Sequence, residues 1–127
     1  MAIDLCWQIE HRVVLITISG DIILEDIGAA EDALWNFVKD GHQPVHVIFD
    51  VRRISSFPMN LRQIRERFKD RDRTGIGWRV LIIHHSMARL LAVIVFQLLN
   101  VPFRIVRSPA EALAFLLEQD DTLRQSV

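Results

Sequence analysis

Cysteine is nearly absent from this 127-residue sequence: Cys6 stands alone. No disulfide can form within the chain, and a reducing compartment is expected. An excess of charge of one sign is missing too, since 15 basic and 16 acidic residues leave a net charge of −1. Without a global field there is no long-range pull on nucleic acid or on an anionic membrane, and neither is expected as a partner unless a local patch recruits it. No apolar run reaches the roughly 20 residues a bilayer demands. The most apolar stretch, MARLLAVIVFQLL at 87–99, is interrupted by Arg89 and Gln97. The opening MAIDLCWQIEH shows no basic segment followed by an apolar run, so it does not read as a secretory leader, and a cytoplasmic protein is expected. The sequence also has no G-x-S-x-G, no phosphate loop and no G-x-G-x-x-G, which removes the commonest nucleophile and nucleotide signatures.

Half the residues are hydrophobic and 24% are charged, a balance that excludes wholesale disorder and fits a single domain over 1–127. IDLCWQI (3–9) and RVVLITIS (12–19) are β-rich runs parted by Glu10 and His11, which predicts a hairpin. From Glu25 to Lys39 the period changes: Ile27, Ala30, Leu34, Phe37 and Val38 share one helical face, with Glu25 and Asp26 in the first turn and Gly41 as the stop. VHVIF (45–49) and WRVLII (78–83) read as buried parallel strands. Between them a loop over 51–61 is expected, then a helix over 60–72 capped by Asn60, with Gln63 completing a capping box. Ser86 is the expected cap of helix 87–99. The strand FRIV (103–106) follows, and in SPAEALAFLLE (108–118) a cap serine, a first-turn proline and Glu111 coincide. The order ββαβαβαβα predicts an α/β fold with a five-stranded, mostly parallel sheet and four helices.

Candidate chemistry is sparse. Asp50 ends a parallel strand, where open α/β sheets bind ligands. It suits a base or a metal ligand, but an aspartate bonding nearby backbone amides is the commoner arrangement, and that is the reading taken. His84 and His85 end the next strand. Neighbours in a strand point in opposite directions, so the pair does not chelate one ion. His11, His42 and His46 lack ligand spacing, and no metal is expected. Cys6, beside Trp7 in a strand, reads as a small hydrophobe. RQIRERFKDRDR (62–73) has six basic and three acidic residues, interleaved as in a solvated, salt-bridged face.

Helix 87–99 is different. Leu90, Leu91, Val93, Ile94, Val95, Phe96, Leu98 and Leu99 nearly encircle it, more than one sheet-facing stripe requires. Some of this surface must be covered by the final helix, a ligand or a partner. A two-fold homodimer through this helix, with Val95 at the contact, is one expectation.

The element order, VLITISGDI with its strand ending in glycine and acid, HVIFDVRRIS, and the closing SPAEALAFLLE together resemble a STAS domain, the anti-sigma-factor antagonist type of fold. The resemblance spans nearly the whole chain by pattern. It implies a serine in an Asp-Ser-x-Gly loop that a partner kinase phosphorylates. Counted from Asp50, that motif falls on Pro58-Met59-Asn60-Leu61. The acceptor is absent, and Ser55 and Ser56 lie too early to restore it. The resemblance therefore implies a non-enzymatic regulatory module that binds a protein partner without the phospho-serine switch and without a cofactor. Candidate binding residues are Asp50, Ser55, Ser56, Met59, Asn60, His84 and Val95. Two alternatives stand beside it: a carrier or sensor of a small apolar or anionic ligand held between the sheet and helix 87–99, and an enzyme using Asp50 and His84.

Overall fold

The computed structural model describes residues 2–125. Strands β1 (Ala2–Ile9) and β2 (Val13–Asp21) form the expected hairpin, with His11 in the left-handed region at its turn. Helix α1 (Leu24–Asp40), β3 (Val45–Ser56), α2 (Leu61–Phe68), β4 (Ile76–Ile82), α3 (Ser86–Leu99), β5 (Phe103–Val106) and α4 (Pro109–Gln119) follow, and a 3₁₀ turn over Asp121–Gln125 closes the described chain. The five strands lie in sequence order, β1 antiparallel and the other pairs parallel. Among the described residues, no helix is long and apolar enough to cross a membrane.

Sequential strand order decides where the helices go. Parallel crossovers share one hand, so α1, α2 and α3 all fall on one face of the sheet. Their side chains pack there with Ile16, Val47, Leu81 and Ile83. Helix α4 returns across the other face and seals Val13, Ile48, Val80 and Ile82 under Ala112 and Leu116. The central strands β2, β3 and β4 therefore alternate their apolar residues between two cores.

Four expectations are corrected. Strand β3 does not stop at Phe49 but continues to Ser56, so most of the expected 51–61 loop is strand. Its second half pairs with β2 alone, Arg53 opposite Ser19 and Ile54 opposite Gly20, whereas pairing with β4 ends at Asp50 opposite Ile82. A ladder uses backbone groups, so the polar Arg-Arg and Ser-Ser pairs were no obstacle. Helix α2 ends at Phe68, four residues short of the expected 72, where Arg73 folds back to donate to the Phe68 and Arg71 carbonyls. The cap of α3 is His85 rather than Ser86, its Nδ1 accepting from the Met87 and Ala88 amides. Cys6 faces solvent at the sheet edge instead of packing as a hydrophobe, because α4 covers the centre of the sheet and leaves the outward residues of β1 exposed.

The other cap residues are those expected, though neither Gln63 nor Glu111 returns a side-chain bond to the amide of its own cap. Asn60 Oδ1 accepts from the Gln63 amide at 3.0 Å, and Ser108 Oγ from the Glu111 amide at 3.1 Å. Glu111 reaches one residue past the cap and accepts from the Arg107 amide. Asn100 closes α3 in the left-handed conformation that asparagine tolerates.

A buried polar cluster ties the chain's last turn to the opposite end of the sheet. Asp120 Oδ2 accepts from Arg12 at 3.0 Å and from His46 Nε2 at 2.8 Å. His46 Nδ1 accepts from the Trp78 amide, which makes Nε2 the nitrogen that carries the proton. Gly77 permits this approach, because a Cβ there would collide with the His46 ring.

Candidate functional site

Where the three helices of one face meet, they do not fill the space above the sheet. A cavity of about 190 Å³ remains. Its floor is Ile16, Ile18, Phe49, Leu81 and Ile83 from β2, β3 and β4 and the residue beyond. Helix α1 supplies Ile27 and Leu34, and α2 supplies Ile64 and Phe68. The overhanging half of β3 contributes Val51 and Ile54, followed by Phe57 and Pro58. The roof is α3, through Ala88, Leu91, Ala92, Val95, Phe96 and Leu99.

The roof explains the excess of apolar residues in that helix. Ala88 is its only buried residue; those from Leu91 to Phe96 are half-buried. Met87, Leu90 and Leu98 form a separate outward stripe, exposed to 49%, 55% and 48%. One side faces an unfilled cavity, the other solvent.

Two charged residues line the cavity, Glu31 and Arg79. Arg79 sits on β4, two positions before Leu81 and therefore on the same face. It is only 4% exposed. Desolvation pulls its guanidinium down to about 10, a fall that Glu31 opposes and Arg73 assists through their charges. Both Arg79 and Glu31 also line an adjoining polar cleft with Asp32, Arg71 and Arg73, so they stand at the boundary between apolar and wet surfaces.

The residues singled out from sequence are scattered. Val95 lies in the cavity roof, which removes it from the outer face of α3 where a homodimer contact was expected. Asp50 is gripped by Arg52, whose Nε and Nη2 donate at 2.9 and 2.7 Å and whose backbone amide donates at 3.2 Å. The Arg52 side-chain bonds hold the Asp50 carboxyl below its ordinary value despite partial burial, so the group is a committed acceptor and a poor base. His84 Nε2 donates to the Arg107 carbonyl at 2.9 Å. The Asp50–His84 pair on which an enzyme reading rested is not hydrogen-bonded.

Ser56 Oγ donates to Asp21 at 2.8 Å, bracing the end of β3 against the end of β2. Ser55 is exposed beside it. Met59 is 58% exposed, and Asn60 is spent on its cap. The structure thus brings together none of these six with Val95. Sequence reasoning missed Arg79, although a lone arginine inside WRVLII was itself a signal: a charge in a buried run needs a reason. Among the described residues, no group of three or more His, Cys, Asp or Glu side chains is placed to hold a metal ion.

No family model matches the chain, and no curated protein does. Among solved structures, an uncharacterized protein from the DUF3478 family with a SpoIIAA-like fold, from Shewanella loihica PV-4, superimposes with a TM-score of 0.60. The match covers 91% of this chain and 92% of that one at 12% identity. Together with the ββαβαβαβα order and the sequential mixed sheet, this establishes that the chain has a SpoIIAA-like, that is STAS-like, fold.

Proposed function

We propose that the protein is a non-enzymatic binding module whose cavity beneath α3 takes a small apolar ligand. The cavity itself carries the reading. The cavity is open to solvent on one side, and its apolar wall stays in contact with water at a cost of about 25 cal/mol per Å². A ligand that fills it recovers part of that energy as affinity. The wall residues are nearly all aliphatic or phenyl, as in ligand sites where a few polar groups fix orientation. The commitment of Asp50 to Arg52 and of His84 to a backbone carbonyl argues against acid–base chemistry at the strand rim. Met59 in place of the acceptor serine argues against the phospho-switch that the fold's regulatory members use.

The test is titration with 1-octanol followed by methyl NMR. Shifts concentrated on residues such as Leu91, Val95 and Leu81 are expected, and an Ala92→Phe variant that fills the space should keep its thermal transition while losing them. Absence of saturable shifts in the parent overturns the reading.

A second reading has its own support. The outward stripe of Met87, Leu90 and Leu98 on α3 suits a second copy of the chain meeting it across a two-fold axis. Ligand and partner would then act on opposite sides of one helix, so occupancy of the cavity would bias the contact outside it.

A further inference from the structure

We infer that the cavity's ligand is an anionic amphiphile, an aliphatic carboxylate whose tail lies beneath α3 and whose head group pairs with Arg79. The inference rests on the cavity being a ligand site and adds the chemical class. Arg79 is the observation behind it. Its guanidinium presents five donors, yet among the described residues its side chain makes no hydrogen bond and no ion pair. Every other charged group at this end is occupied. Arg71 bonds Asp32 at 2.7 Å and lies 3.6 Å from Glu31; Arg73 caps α2. Glu31 is thus already drawn to Arg71 and stands beyond ion-pair distance of Arg79.

Its nitrogens keep contact with water on the cleft side, so an anion entering there meets donors that no protein acceptor holds. Arginine's planar fork matches a carboxylate in two parallel bonds. Position supports the same assignment. Arg79 lines both the apolar cavity and the polar cleft beside Asp32 and Arg71, so a head group there keeps water on one side while its tail stays dry. Size limits the tail. A cavity of about 150 Å³ holds benzene, so 190 Å³ suits a tail of about seven carbons. Octanoate is the matching probe.

Calorimetric titration of the parent with octanoate and with 1-octanol, near neutral pH, is the first arm. Octanoate is expected to bind about tenfold or more tighter, the scale of a charge-assisted pair. The second arm repeats both titrations on Arg79→Met. The variant should still bind octanol and lose the preference for octanoate. If octanoate and octanol bind the parent equally, or if Arg79→Met retains the preference, the inference falls while the cavity remains a ligand site. If neither compound binds the parent, both readings fall. The two parent titrations decide the matter even if the variant does not fold.

Discussion

His46 Nε2 lies 2.8 Å from Asp120 Oδ2 and joins the start of β3 to the residue after α4 across 74 positions of sequence. The same oxygen receives Arg12, so one carboxylate neutralises one buried cation and orients one buried ring. Removing it strands Arg12, which is 5% exposed and whose Nε already lacks a partner among the described residues. Asp120→Asn is expected to lower unfolding free energy by about 2–3 kcal/mol. Urea denaturation of parent and variant measures it, and a loss under about 0.5 kcal/mol would mean that the cluster is not a clasp.

The same carboxylate predicts an acid limb. Burial raises Asp120, but hydrogen bonds from His46 and Thr122 outweigh it and bring the group down to about 2. A carboxyl that titrates near 3.9 when unfolded therefore contributes its full stabilisation above about pH 4 and loses it as the pH falls toward about 2. The parent should show this loss in unfolding free energy measured from pH 5 to pH 2. Asp120→Asn should show a shallower slope there. Parallel slopes would refute the assignment.

Asp50 and Arg52 form a partly exposed pair at the sheet rim, the arginine side chain 35% and the aspartate 16% exposed. Such pairs contribute little. Asp50→Asn should change stability by about 1 kcal/mol or less and leave ligand titrations unchanged. A collapse of binding would return Asp50 to the site.

The outward stripe of α3 gives a test of self-association. Fully burying a leucine or methionine is worth about 1.5–3 kcal/mol, against an association cost of about 4–15 kcal/mol. Met87, Leu90 and Leu98 are already about half-buried, so three such residues on each side support at most a weak dimer. Sedimentation equilibrium at micromolar concentration should show it in the parent and not in Leu90→Glu, which keeps the cavity face intact. A parent that is monomeric throughout sinks the dimer.

Much of the frame is local and was therefore readable. The face of α1 from Ile27 to Val38, the serine cap of α4 and the hairpin are each written within about a dozen residues, where period and capping chemistry operate. The site was not readable in that way. The cavity exists only because three crossovers converge, and Leu34, Phe68, Leu81 and Val95 come from four separate elements. The outer half of β3 escaped because its pairing with Ser19, Gly20 and Asp21 depends on backbone register rather than on an apolar pattern. The exposed face of α3 was not legible because a helix apolar all round gives no phase, and the structure turns Val95 toward the cavity.

The sequential order of the sheet carries a consequence for how the chain assembles. After β1, every strand pairs with the strand made just before it, so each can add to an edge that already exists. The sheet can grow one crossover at a time as the chain emerges, each addition closing only a short loop. Helix α4 and Asp120 are made after all five strands, and the bond to His46 joins them to what was built early.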